Sequence, residues 1–261
     1  MVSPAVSRGC NIFVKRYNPA LHTVTASLMS KRTMFISIIL VATLTAAVTA
    51  YYTYRPNAVR VDKFRQWIRN PASHPDWKLA AGSRCGSAPF LFPTDGMVGF
   101  LWGDFMGKLR KHQGIDIFAG TDVGITRVIS AYPGYLTRQA DWKSSVIVRV
   151  PNDPLNPGNQ IWLYYTHMAD ENGNSFISDE FPAGTPEKYI EAGTFLGFQG
   201  DYSGDPGNPV GVHLHFSIVE DDGNGQFKNE LEIENTLDPS PYLGLPLNGY
   251  ENRDNVPTCE L

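Results

Sequence analysis

The segment that decides the fold is a seven-residue run near the C-terminal end of the chain, His213-Leu214-His215-Phe216-Ser217-Ile218-Val219. Its apolar and β-branched residues predict a β-strand. Side chains two residues apart on a strand share a face, so His213 and His215 are expected to point the same way, with Leu214 and Phe216 on the other face. The run therefore predicts a strand that presents two imidazoles from one face of a sheet.

Two further segments carry groups of the same kind. A second strand that ends at His167 is predicted by a run rich in aromatic and branched residues, Gln160-Ile161-Trp162-Leu163-Tyr164-Tyr165-Thr166-His167. Upstream, His112 and Asp116 are four residues apart, and Gly114 between them permits a bent backbone that could bring both side chains to one ion. Each residue alone is an ordinary surface, turn or sheet residue, and their combination is what indicates a site.

The chemistry of these five groups favours a catalytic metal. Imidazole nitrogen and carboxylate oxygen are suitable ligands for Zn²⁺, and a catalytic zinc site needs three protein ligands with a fourth position left for water. Five candidates are enough for three ligands and two acid/base partners. This surplus points to chemistry rather than to a purely structural metal.

The combination closely resembles the LytM/lysostaphin-type zinc metallopeptidases, in residues from about Phe90 to Leu243. The matching motifs are His112-x-x-x-Asp116, the Tyr-x-His that ends at His167, and His213-Leu214-His215-Phe216. The resemblance implies that His112, Asp116 and His215 hold one Zn²⁺ per chain, and that His167 and His213 are catalytic histidines that do not bind the metal. Which of these two is the general base stays open.

The sequence departs from the family pattern in its loops. The segment 200–212 before the His-x-His strand is longer than the family's turn and has Val212 where proline is expected. Enlarged loops are also expected at 151–159 and 170–186. Loops on a scaffold shape the binding groove, so these departures leave the substrate preference open.

The rest of the chain predicts an all-β, β-dominated domain: an antiparallel β-sheet sandwich or barrel-like peptidase domain with long loops. Short β-rich runs alternate with Gly, Pro, Asn and Asp turns beyond Phe90. The predicted strands are 124–130, 145–150, 160–167, 194–199 and 213–219.

An uncharged apolar stretch, 34–52, precedes this domain and is just long enough to span a bilayer, which needs about 17–25 residues. It is either a retained signal anchor or a cleaved signal peptide with Val48-Thr49-Ala50 as the cleavage site. The start codon, Met1, Met29 or Met34, also stays open. The predicted organisation begins with a cytoplasmic, disordered or untranslated segment at 1–33 and the signal anchor or signal peptide at 34–54. A linker or short helix follows at 55–85, then the zinc metallopeptidase domain at 86–245 and a C-terminal tail at 246–261.

Charge and cysteines limit the class of partner. Residues 1–70 have ten Lys/Arg against one Asp, a balance of +9, whereas residues 71–261 have twelve against twenty-five acids, a balance of −13. An acidic catalytic region argues against nucleic acid as a partner.

Cys85 and Cys259 follow the apolar stretch and either pair in an exported domain or stay as two free thiols.

The resemblance implies an exported enzyme of the cell envelope, membrane-anchored or secreted, that hydrolyses peptide bonds in peptidoglycan cross-links or stems. The alternatives are a non-enzymatic wall-binding or hydrolase-activating protein of the same fold, and a protease that acts on an exported protein. Residues 1–85 are expected to be dispensable for the chemistry, because every candidate group lies beyond them. The sequence does not indicate which bond is cut or an oligomeric state.

Overall fold

The structure is a computed structural model that describes residues 30–54, 58–107 and 110–259. The chain divides into two compact units, Met1–Tyr52 and Thr53–Leu261. Of the predicted N-terminal segment 1–33, residues 1–29 lie outside the described residues.

In the first unit, one helix dominates the described residues. Helix α1, Lys31–Tyr54, begins three residues before the predicted apolar segment. The Ser30 hydroxyl accepts a hydrogen bond from the backbone N–H of Thr33, which is a common way to start a helix. The part of α1 from Lys31 to Tyr51 is long and apolar enough to cross a membrane, and a signal sequence near an N-terminus has the same properties. Anchor and cleaved signal therefore both stay predictions.

The second unit opens with helix α2, Ala58–Arg69, within the segment predicted as a linker or short helix. Two 3₁₀ turns follow, Pro71–Ser73 and Pro75–Trp77. The side chain of Trp67 in α2 is fully buried, in a cluster with side chains of the first two strands.

The C-terminal tail also packs on this unit. Leu247 is fully buried, and Cys259 forms a disulfide with Cys85. The boundaries predicted at 86 and 245 stay predictions, and α2 and the tail share one compact unit with the strands.

Among the described residues, the other regular elements of the second unit are ten strands, a 3₁₀ turn at Ile233–Asn235 and one short helix. The strands are β1 Met97–Phe100, β2 Ile115–Phe118, β3 Arg127–Ile129, β4 Gly134–Thr137, β5 Val146–Val150, β6 Ile161–Thr166, β7 Lys188–Ile190, β8 Phe195–Phe198, β9 Leu214–Glu220 and β10 Thr236–Leu237. The short helix α3, Ser240–Leu243, follows β10.

All of the strand pairings are antiparallel. The large sheet has the order β1-β2-β9-β6-β5-β4-β7, with β10 also paired to β9, and the small sheet consists of β3 and β8. Strand β9 lies between β6 on one side and β2 and β10 on the other. The fold class is the β-dominated antiparallel architecture that the sequence predicted.

Alternation along β9 separates the core from the site. Leu214, Phe216 and Ile218 are fully buried and belong to the main hydrophobic cluster, which also contains side chains of both sheets. His215 lies on the opposite face and is partly exposed. A one-residue slip would place His215 and Ser217 in this hydrophobic core, so the register of β9 is fixed.

Candidate metal centre

The structure brings together the three residues that the resemblance assigns to the metal. The Nε2 of His112 lies 3.0 Å from Oδ1 of Asp116 and 3.1 Å from Nδ1 of His215. The Asp116 oxygen is in turn 2.8 Å from Nδ1 of His215. These three side chains form a group that could hold a metal ion.

Two neighbouring strands set the position of Asp116 and His215. Asp116 on β2 is paired directly with His215 on β9, so both side chains leave the same face of the sheet. Gly114 lies just before β2 and packs closely against β9. A Cβ atom at Gly114 would lie 2.3 Å from the carbonyl oxygen of Phe216, so the close approach of the two strands requires glycine at this position.

His112 precedes β2 and is oriented by a backbone carbonyl. Its Nδ1 lies 3.0 Å from the oxygen of Leu101, which can only accept, so Nδ1 carries the hydrogen and Nε2 keeps its lone pair. A partner of this kind on the second ring nitrogen is typical of metal-binding histidines. His112 is 4% exposed, so the ring has little freedom to turn.

The two remaining histidines lie beside this group. The rings of His167 and His213 have centroids 4.4 Å apart, and Nε2 of His213 is 3.5 Å from Oδ1 of Asp116. His167 follows the last residue of β6 and has a left-handed backbone with φ of 71°. Such a conformation is uncommon for a residue other than glycine and is often found at functional sites. All five predicted groups therefore meet at one place.

The surroundings of His167 and Asp116 lower the pKa values of both side chains. Burial, with the nearby His213 and His215, lowers the pKa of His167 to about 3. Burial alone would raise the pKa of Asp116, but His112 and His213 hold it well below its usual value. Asp116 is therefore a carboxylate at neutral pH, and His167 is a neutral imidazole.

The pKa values of His112 and His215 are shifted in opposite directions. Burial lowers the pKa of His215, although Asp116 opposes the shift. At His112, burial also favours the neutral ring, but the Asp116 carboxylate outweighs it and raises the pKa. The Asp116 carboxylate therefore outweighs burial at His112 but not at His215.

The donor set fits zinc. Ligands held at 2.0–2.1 Å around a tetrahedral zinc lie about 3.3 Å apart, and the donors in this site are separated by 2.8–3.1 Å. Two imidazole nitrogens and one carboxylate oxygen leave one tetrahedral position for water or substrate.

Sequence reasoning missed several residues that support the site. Phe118 stacks on His213 with ring centroids 4.8 Å apart, and it could have been found, because it is two residues after Asp116 on the same strand face. Asp104 and Arg60 form a buried ion pair near His112. A lone acid in a loop and an arginine 44 residues away give no sequence signal of a pair.

Comparison with known proteins gives matches only among solved structures, since no family model and no curated protein matches the chain. Lysostaphin from Staphylococcus simulans, an antimicrobial peptidase, aligns at 19% identity and a TM-score of 0.37 over 57% of this chain and 49% of its own. Its catalytic domain aligns at 19% identity and a TM-score of 0.37, over 56% of this chain and 90% of the domain.

The prophage-encoded protein EnpA from Enterococcus faecalis is a third similar structure. Its catalytic domain aligns at 21% identity and a TM-score of 0.34, over 57% of this chain and 95% of the domain. The chain thus spans about half the length of lysostaphin and most of each isolated catalytic domain. The matched structures are peptidases of the lysostaphin type, the family that the five site residues resemble.

Proposed function

We propose that this chain is a zinc-dependent metalloendopeptidase that hydrolyses peptide bonds in the cross-links or stems of peptidoglycan, outside the cytoplasm. The observation that carries the proposal is the convergence of His112, Asp116 and His215 beside two further imidazoles. A structural zinc site uses four protein ligands, whereas a catalytic site uses three and keeps one position open. Three donors with two neighbouring acid/base groups fit the catalytic pattern.

A zinc ion held by these donors would supply Lewis acidity, which polarises the scissile carbonyl and lowers the pKa of a water molecule to about 7. The protein residues supply the proton transfers. Both kinds of contribution are needed for amide hydrolysis near neutral pH, because water is a weak nucleophile and an amine is a poor leaving group.

We assign the role of general base to His167. Its Nδ1 lies 2.7 Å from the carbonyl oxygen of Tyr202, so Nδ1 carries the hydrogen and Nε2 has the free lone pair. His167 can therefore take a proton at Nε2 from the attacking water.

We assign the role of hydrogen-bond donor to His213. Its Nδ1 contacts the carbonyl oxygen of Gly211, which fixes that nitrogen as a donor. Its Nε2 faces the site next to the Asp116 carboxylate, so an N–H at this nitrogen would point to the site. From there it can donate to the developing oxyanion or to the leaving amine.

Two features support an exported location. Helix α1 near the N-terminus has the length and composition of a membrane anchor or a signal sequence. Cys85 and Cys259 are joined in a disulfide, a bond that persists in oxidising compartments outside the cytoplasm. A polymer outside the cell suits an enzyme that is itself exported.

Digestion of purified peptidoglycan sacculi tests the proposal. The zinc-loaded full chain should release soluble fragments and new amino termini, and a chelator should abolish the release. A Gly-rich peptide and an unfolded protein are assayed beside the sacculi. Cleavage of these while sacculi stay intact would move the substrate from the wall to exported protein. Binding to sacculi with no cleavage of any substrate would leave the non-enzymatic alternative.

A further inference from the structure

Helix α2 contains an arginine whose charged group is wholly inside the protein. Arg60 is 0% exposed, and its Nη2 donates to Oδ2 of Asp104. Its Nη1 donates to the carbonyl oxygens of Asn252, at 2.6 Å, and Arg253, at 3.1 Å. Arg60 therefore connects α2 to the loop before His112 and to the C-terminal tail.

The partner of this arginine controls the carbonyl that orients a metal ligand. Oδ2 of Asp104 accepts a hydrogen bond from the backbone N–H of Leu101 at 2.8 Å, and the N–H of Asp104 donates to the Leu101 oxygen at 3.1 Å. That same oxygen accepts from Nδ1 of His112. The backbone N–H of His112 also donates to the oxygen of Asp104 at 2.9 Å. The turn 101–104 thus holds the His112 ring, and Arg60 holds the turn.

Phe64, one helical turn after Arg60, contacts the site from the same helix. Its ring centroid is 4.4 Å from that of Phe118, which stacks on His213. It also lies 5.6 Å from the ring of Phe100, which makes a T-shaped contact with His112 at 6.4 Å between centroids. One intervening side chain therefore separates Phe64 from each of these histidines.

We propose that α2 is part of the catalytic unit and that Arg60 and Phe64 are positioning residues. Arg60 fixes the orientation of His112 through Asp104 and Leu101, and Phe64 fixes the ring plane of His213 through Phe118. The expected effect of these residues on metal binding rests on the zinc function proposed above. The expected effect of Arg60 on the orientation of His112 does not depend on zinc.

The first test measures zinc affinity of the full chain by competition with a chelator. Loss of a residue that orients a metal ligand typically lowers affinity 10–100-fold, so we expect a loss of about that size in Arg60→Met. Arg65→Met is the matched control, because Arg65 lies on the same helix in an exposed ion pair with Asp62. We expect the control to bind zinc within about twofold of wild type.

A double variant separates positioning from folding. Arg60→Met leaves the buried Asp104 carboxylate without its cationic partner, which can unfold the chain, whereas Arg60→Met/Asp104→Leu removes both charges. The folded double variant should still bind zinc at least about tenfold more weakly, because the turn 101–104 has lost its carboxylate bond. Zinc affinity equal to wild type in this folded variant would overturn the role of Arg60.

The role of Phe64 has its own readout. Phe64→Leu keeps an apolar side chain but removes the ring contact with Phe118. We expect zinc affinity and KM to be unchanged and kcat to fall several-fold, because His213 is no longer held in one plane. An unchanged kcat would remove Phe64 from the proposal.

Nitrogen NMR of the metal-free full chain distinguishes failure of this inference from failure of the zinc function. At a pH above the raised pKa of His112, where its ring is neutral, wild type should carry the His112 hydrogen on Nδ1, and the double variant should show a mixture of tautomers. If wild type binds no zinc, the proposed function is wrong, and the tautomer comparison still decides the role of Arg60. An unchanged tautomer in the folded double variant would contradict the inference.

Discussion

Asp116 and His215 are directly opposite each other on adjacent antiparallel strands, with Oδ1 of Asp116 2.8 Å from Nδ1 of His215. The hydrogen bonds of the strand ladder fix the distance between the two backbones. Two proposed metal ligands are therefore placed by the sheet rather than by loops, which holds them more rigidly. This pairing depends on the close approach of β2 and β9 at Gly114.

Gly114→Ala should disturb this pair. The new Cβ would lie 2.3 Å from the Phe216 oxygen, so β2 must move away from β9. We expect a lower melting temperature and weaker zinc binding. Gly211→Ala is the control, because its Cβ would make only an ordinary contact, 3.7 Å from Phe118. Equal melting temperatures and zinc affinities for the two variants would contradict this explanation.

Replacement of His167 should separate catalysis from backbone strain. Any variant should lose about 10²–10⁴-fold in turnover while keeping zinc, because a positioned acid/base group is gone. The backbone at residue 167 has φ of 71°, which alanine adopts at a cost of about 1 kcal/mol or more and asparagine adopts more readily. His167→Asn should therefore be about 1 kcal/mol more stable than His167→Ala in denaturant unfolding. Loss of zinc in either variant would exchange the proposed ligand and catalytic roles.

The lowered pKa of His167 predicts a pH dependence of stability in the metal-free chain. The folded pKa is about 3 and the ordinary value is 6.5, so between these the unfolded state binds more protons. The contribution of His167 to the free energy of unfolding therefore falls as pH decreases below about 6.5. Wild type should lose more stability than His167→Asn between pH 7 and pH 5. Parallel curves for the two proteins would show that the His167 pKa is not lowered.

Truncation tests whether residues 1–85 are dispensable, as the sequence suggested. The packing of α2 leads us to expect the opposite for its residues. A chain that begins at Ala88 lacks Arg60 and leaves the Asp104 carboxylate buried without its partner, which typically costs about 3–5 kcal/mol. A chain that begins at Asn57 keeps the pair and should fold. A cooperative melting transition at the same temperature for both chains would support the expectation that residues 1–85 are dispensable.

The sequence predicted the strands that lie in long runs of strand-forming residues. Apolar, aromatic and β-branched residues at 213–219 and 160–167 placed β9 and β6 within one residue of their observed bounds. The short strands β1, β2, β4, β7 and β10 were not predicted as strands, whereas β3 and β8, which are equally short, lie within the longer predicted runs 124–130 and 194–199.

The candidate site was predictable to the extent that its residues form local motifs. His112 and Asp116 are near neighbours in sequence, and His213 and His215 share one strand. Asp104 and Arg60 were missed because their pairing depends on the packing of α2, which no local pattern records. The roles assigned to the five site residues stay predictions until variants are measured.

Metal content and turnover of the purified full chain, measured together, test the central claim most directly. We expect one zinc per wild-type chain and one in His74→Ala, a control because His74 stacks on Trp77 and lies in no motif. His215→Ala should contain no zinc and release no fragments from sacculi. Stoichiometric zinc in a triple alanine variant of His112, Asp116 and His215 would contradict the account.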